Sequence, residues 1–166
     1  MKKSILFFAI FALVISVSAQ NKKEVKVTEK AKATFAKLYP NVKEVKWGKE
    51  GEEEFEAEFK LNETAISVVI DAEGNLKETE TEISKLELPK GVNEFIAKNH
   101  KGWSITETAK IIDEKGNVSF EVQITNNKNK SEQEDLMFTK DGKPIVGKDL
   151  KPEKEEKDEK EEEEND

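Results

Sequence analysis

Cysteine and arginine are both absent from this chain, and histidine occurs once, at His100. Without cysteine no disulfide staples the fold, and thiolate zinc sites of the C-x-x-C kind are excluded. No cysteine follows the N-terminal apolar run either, which removes a lipid-anchored lipoprotein. One histidine leaves no H-x-x-x-H pair for zinc and little to serve as base beside a nucleophile, and no serine sits in G-x-S-x-G. No glycine-rich loop opens a helix to cradle phosphate. These absences point away from catalysis, and the chain is expected to be no enzyme, with no cofactor and no resident metal. His100 falls near a predicted helix C-terminus, where an imidazolium complements the dipole, so a structural role is expected of it.

Because arginine is missing, every basic residue is lysine: 28 against 36 acidic residues, a net charge of −8. An acidic, arginine-free chain is a poor match for nucleic-acid phosphates, so no nucleic-acid partner is expected. Long apolar runs are scarce too. The one present, Ile5 to Val17, falls short of the roughly 20 residues a spanning helix needs. It follows Met1-Lys2-Lys3 and ends in Val17-Ser18-Ala19, the pattern of a secretory signal cleaved after Ala19. The expected product is periplasmic or secreted, with no membrane span after cleavage. Its composition is that of a bacterial envelope protein. Losing Lys2 and Lys3 takes the charge to −10, and residues 151–166, with four Lys and ten Asp or Glu, hold −6 of that.

The organisation read from the sequence is a signal at 1–19, a flexible charged lead at 20–27, one unit at 28–85, a second at 86–150 and an acidic disordered tail at 151–166. Thr28 is a fitting N-cap, Ala31, Phe35 and Leu38 recur at helical spacing, and Pro40 stops the helix. Val42 to Trp47 alternates as a strand, with a turn expected at Gly48 to Gly51. From Glu54 to Ile83 come three alternating runs divided by two turns, the pattern of an antiparallel meander. Phe55, Ala57 and Phe59 share one face; Glu54, Glu56 and Glu58 share the other, as Glu78, Glu80 and Glu82 do on the third run. The second unit opens with a helix from Leu86 to His100, with Pro89 at its first position and Val92, Phe95, Ile96 and Asn99 on one face. Strands follow at Trp103–Ile112, Val118–Thr125 and Glu132–Thr139, and a last short one at Pro144–Val146.

The units repeat. Phe35 answers to Phe95, Phe55–Phe59 to Phe120–Ile124, and Val69–Asn75 to Met137–Lys143, at offsets of 60, 65 and 68 that grow as loop insertions would make them. The motifs F-A-K-L-Y-P-N-V from Phe35, V-K-W from Val45, F-E-A-E-F from Phe55, I-D-A-E-G-N-L from Ile70, Leu88-Pro89 and F-I-A-K-N from Phe95 carry a family likeness. In them the chain resembles the exported PepSY-like family of Bacteroidetes-type bacteria, described as β-lactamase-inhibitor-like, across Ala31 to Val146. The resemblance implies an α+β fold, a tandem repeat of a helix plus an antiparallel β-meander, with the helices on one side of an extended sheet. It also implies an inhibitor-like or protein-binding role. The β-lactamase inhibitor of this architecture has disulfides and this chain has none, so no inhibitory contact carries over residue by residue.

The leading expectation is an exported, non-enzymatic binding module that offers its open sheet surface to an envelope or secreted protein such as a hydrolase or peptidase. Candidate partner-binding residues are Trp47 and Trp103, as aromatic anchors on the open sheet, and Glu54, Glu56, Glu58, Glu78 and Glu80 on its acidic face. Both tryptophans equally suit gaps between helix and sheet. The negative charge is expected to concentrate on the first unit, since Gln123 and Thr125 stand where it has Glu58 and Lys60. A divalent-cation buffer is the alternative: Asp71-x-Glu73-Gly74-Asn75 and Asp113-x-Lys115-Gly116-Asn117 open like calcium loops, with Glu82 and Ile124 at the twelfth position. Hairpin turns account for both without an ion. An enzyme of unfamiliar type is the remaining alternative.

Overall fold

Thr28 starts the first helix by accepting a hydrogen bond from the Ala31 N–H at 3.2 Å, while its hydroxyl donates to the Ala72 carbonyl at 3.0 Å. One side chain thus caps the helix and ties it to the sheet. In this computed structural model, which describes residues 25–145, helix α1 runs Glu29–Leu38 and helix α2 runs Lys90–Asn99. The strands are β1 (Lys46–Lys49), β2 (Glu54–Leu61), β3 (Thr64–Asp71), β4 (Leu76–Glu82), β5 (Trp103–Asp113), β6 (Val118–Asn126) and β7 (Gln133–Thr139). They form a single seven-stranded antiparallel sheet in sequence order from β1 to β7. The class is α+β. Among the described residues no helix is long and apolar enough to cross a membrane. The expected signal peptide, the acidic tail and the end of the last strand at Val146 lie outside the described residues.

Three hairpins turn in the same way. In each, a four-residue loop carries a glycine of positive φ, at Gly74 (88°), Gly116 (78°) and Gly142 (76°). Asp71 and Asp113 each accept two backbone N–H bonds within their loops, at 2.8 to 3.0 Å. The motifs that open like calcium loops therefore spend those acceptor oxygens on their own turns. The first and third turns also dock on helices. Thr34 Oγ1 on α1 donates to the Gly74 carbonyl at 2.7 Å, and a Cβ on Gly91 of α2 would come within 2.9 Å of the Gly142 carbonyl.

Apolar side chains gather in two clusters. Ala31 and Phe35 of α1 join Phe55, Ala57 and Phe59 of β2 with Val68 and Ile70 of β3. Leu88, Val92 and Ile96 join Phe120, Val122 and Ile124 of β6 with Leu136 and Phe138 of β7. Register places both clusters on one face: Ala57 pairs with Val68, Val68 with Thr79, Thr79 with Ile112 and Ile112 with Val118, so β4 and β5 continue that face from the first cluster to the second.

Several boundaries differ from the sequence reading. Val27, placed in the flexible lead, is only 8% exposed in the first cluster, and Val25 packs against it. Leu38 sits in the last turn of α1 and is 45% exposed, past the part of the helix the sheet covers. Strand β1 begins at Lys46, not Val42, and takes in Gly48 and Lys49, which the sequence suggested were turn. The second helix starts at Lys90: Ser84 and Glu87 form a capping box around a separate short 3-10 turn, Lys85–Glu87, and Pro89 is the N-cap of α2, not its first residue. Asn99 is exposed, its side chain returning to the Phe95 carbonyl at 3.1 Å. The last strand is reduced to one bridge, Pro144 to Phe138.

Candidate functional site: the carboxylate face of the sheet

On the face away from the apolar clusters, alternation and register bring carboxylates from four strands side by side. Glu56 and Glu58 come from β2, Glu78, Glu80 and Glu82 from β4, Glu107 from β5 and Glu121 from β6. The pairings Val69 with Glu56 and Glu78, Ser67 with Glu58 and Glu80, and Ala109 with Glu82 and Glu121 place them on this face. Glu54 joins them opposite Asp71. The strip beneath is apolar and closed to solvent, built of Val69, Ala109 and Ile111. Long acidic side chains lying over such a floor lose water and gain few counter-ions in return.

Glu80 shows this most strongly. It is 6% exposed, and burial, followed by the charges of Glu121, Glu78, Glu56 and Glu50, pushes its carboxyl up to about 9. Burial together with Asp135, Glu78 and Glu107 pushes Glu121 up to about 7. Burial and the neighbouring glutamates do the same to Glu50, in the β1–β2 loop, also to about 7. Glu56, Glu78 and Glu107 are raised as well, chiefly by burial. At neutral pH Glu80 is therefore a neutral acid.

The polar groups nearby are already engaged. Ser67 Oγ donates to Glu56 Oε1 at 2.7 Å, and Lys46 Nζ donates to Glu58 Oε2 at 2.6 Å. Thr106 Oγ1 sits 3.2 Å from the Gln123 carbonyl, Gln123 Oε1 and Thr125 Oγ1. Glu80 Oε2 and Glu107 Oε2 are buried with no hydrogen-bond partner among the described residues. Both residues line a concavity of about 1210 Å³ at the end of the sheet, where Glu58, Ser67, Glu82 and Ala109 also reach it. Among the described residues no three histidine or acidic side chains converge to hold a metal ion.

The expected acidic residues are thus brought to one face, with Glu80 at its buried centre. The tryptophans are not. Trp47 pairs with Ala57 on the helix-bearing face and meets the Phe35 ring edge-on at 5.4 Å; Trp103 packs against the second cluster, beside His100. Each fills a gap between helix and sheet, and neither stands on the open face. His100 lies between Phe95 and Trp103, its Nδ1 3.5 Å from Glu134 Oε2. The sequence reading omitted Glu107 and Glu121. Glu121 was legible, since it alternates with Phe120 and Val122; Glu107 was hidden by a register shift between Ile105 and Glu107. The charge is accordingly not confined to the first half of the sheet.

No protein-family model matches the chain, and no curated protein gives a significant match. Solved structures share its fold. A DUF2874 family protein from Bacteroides ovatus superposes with a TM-score of 0.62 at 19% identity, over 74% of this chain and 86% of that one. A protein from Bacteroides eggerthii, provisionally described as periplasmic, gives 0.64 at 16% identity, over 74% and 88%. A BLIP-like protein from Bacteroides fragilis gives 0.55 at 22% identity, over 78% and 94%. The chain is similar in architecture to each of these, and at such identities the likeness speaks for the fold alone.

Proposed function

We propose that this chain is an exported, non-enzymatic binding module that holds a basic protein partner against the carboxylate face of its sheet. The observation that carries the reading is that face itself: carboxylates from four strands over a closed apolar floor, turned away from both helix-bearing clusters. A face so charged selects cationic surfaces and repels acidic ones. Supporting it are the signal-like N-terminus, read as cleaved after Ala19 for the periplasm or the exterior, and the BLIP-like fold neighbour. On this reading the chain is a PepSY-like, inhibitor-like module built by duplication of a helix-plus-meander unit. The equivalent docking of the first and third turns on the two helices favours that duplication. A hydrolase or peptidase of the envelope is the proposed kind of partner.

Affinity capture from envelope extract tests it. The wild-type chain is expected to retain a saturable partner that Glu56→Lys and Glu58→Lys lose and that Lys90→Glu, on exposed α2, keeps. Capture that is unsaturable, or indifferent to both face variants, overturns the proposal.

A further inference from the structure

Two buried carboxylate oxygens, Glu80 Oε2 and Glu107 Oε2, lack a hydrogen-bond partner among the described residues and belong to residues lining one concavity. Native folds satisfy buried polar atoms almost without exception, so an orphan at a concave surface marks a place where a partner completes the bond. The described residues do not supply one. Ser67, beside Glu80 on β3, gives its hydroxyl to Glu56, and Ile111, beside it on β5, has no polar side chain. Thr108 gives its hydroxyl to the Ile83 carbonyl at 2.6 Å.

We propose that the concavity at Glu80 is a subsite for one lysine or arginine side chain of a protein partner, its cationic head donating to the orphan Glu80 Oε2. This rests on the binding-module reading and names the chemistry by which the partner is held. A charged N–H donor suits a carboxylate oxygen that has no donor of its own, since charge-assisted bonds are the stronger kind. The segment 151–166 has a net charge of −6 and a second copy carries the same acidic face, so neither fits the site. A divalent ion would need carboxylates converging, and among the described residues they do not.

The surrounding charges set how the site responds to pH. Strand β4 presents Glu78 and Glu82, β2 presents Glu56, Glu58 and Lys60, and β6 presents Glu121. Asp135 of β7 acts on Glu107 and Glu121, and Glu50 acts on Glu80 from its loop. On the cationic side, Lys43 and Lys46 reach the rim, and Lys46 pairs with Glu58. β3 offers no titratable group here, only Ser67 and Val69. The balance is negative, and burial keeps Glu80 protonated to about pH 9. Seating a cation must expel that proton, so affinity rises with pH.

The test is an NMR titration of the 15N-labelled full mature chain with the acetylated, amidated tripeptide Gly-Arg-Gly. Its Gly-Lys-Gly and Gly-Gln-Gly counterparts and calcium chloride serve as comparison probes. The expected result is saturable shifts at the amides of residues 67, 80 and 107–109 with either cationic peptide and none with the glutamine peptide. Binding should be at least tenfold tighter at pH 8 than at pH 6, at least tenfold weaker in Glu80→Gln, and unchanged in Glu94→Gln on α2. No saturable shift at 100 mM peptide, wild-type affinity in Glu80→Gln, or preferential saturation of these amides by calcium would overturn it. Because the probe is synthetic, this outcome is independent of extract capture: a captured partner held equally well by Glu80→Gln sinks the subsite and leaves the binding module standing.

Discussion

Phe59 and Glu56 lie three residues apart on β2, and they meet opposite treatment. Phe59 turns to the helix-bearing face, where its ring contacts those of Phe35 at 5.2 Å and Tyr39 at 4.5 Å. Glu56 turns to the other face, where its hydrogen bond comes from Ser67 and the side chains around it are mostly further acids. The same strands thus build one face whose groups complete each other and one whose groups do not. The lesson concerns selection: acids crowded over an apolar floor cost stability, and such a cost is kept where a surface has work to do.

If that contrast is right, substitutions on the two faces should have opposite signs. The largest effect is expected from Phe35→Ala, which empties the centre of the first cluster and should lower unfolding free energy by roughly 3–5 kcal/mol in a urea titration. Next is Glu80→Gln, with the reverse sign. The folded chain holds the Glu80 proton up to about pH 9, whereas the unfolded chain releases it near the ordinary value of 4.5. The stability that proton confers is therefore complete below about pH 4.5 and drains as pH rises towards 9, by up to about 1.4 kcal/mol per unit. Glutamine has nothing to release, so the variant should match wild type at pH 4 and exceed it by roughly 3–5 kcal/mol at pH 8. Equal stability at pH 8 would erase the contrast between the faces.

Smaller effects sharpen the comparison within the acidic face. Ser67→Ala removes the donor to Glu56 and should cost about 1 kcal/mol at neutral pH, with the Glu56 carboxyl titrating still higher by NMR. Glu58→Gln breaks the Lys46 pair, which lies nearer the surface, and should change stability by less than about 1 kcal/mol and fade further in high salt. The gradient from Glu80 to Glu58 would then follow burial, not charge count.

Much of this architecture was legible in the sequence because strand alternation is a local signal. Phe55-x-Ala57-x-Phe59 and Glu54-x-Glu56-x-Glu58 declare two faces without any tertiary knowledge, and Asp71 and Asp113 declare their turns. What was not legible depends on contacts distant in the chain. Val27 reads as the end of a charged lead until α1 and the sheet close over it. Trp47 and Trp103 bear the chemistry of anchors, yet only register shows that they face the helices. Glu107 follows a register irregularity that counting residues cannot locate. Nor does any pattern in the sequence disclose that Glu80 Oε2 has no donor, since that requires knowing that Ser67 serves Glu56 and that Ile111 fills the other side.

The most direct measurement is a 13C NMR titration of the Glu80 side-chain carboxyl, with and without the arginine tripeptide. The expected midpoint lies far above the ordinary 4.5, towards about 9, and falls by at least one pH unit when the peptide is bound. A midpoint near 4.5 in the free chain, or one that the peptide leaves in place, would contradict it.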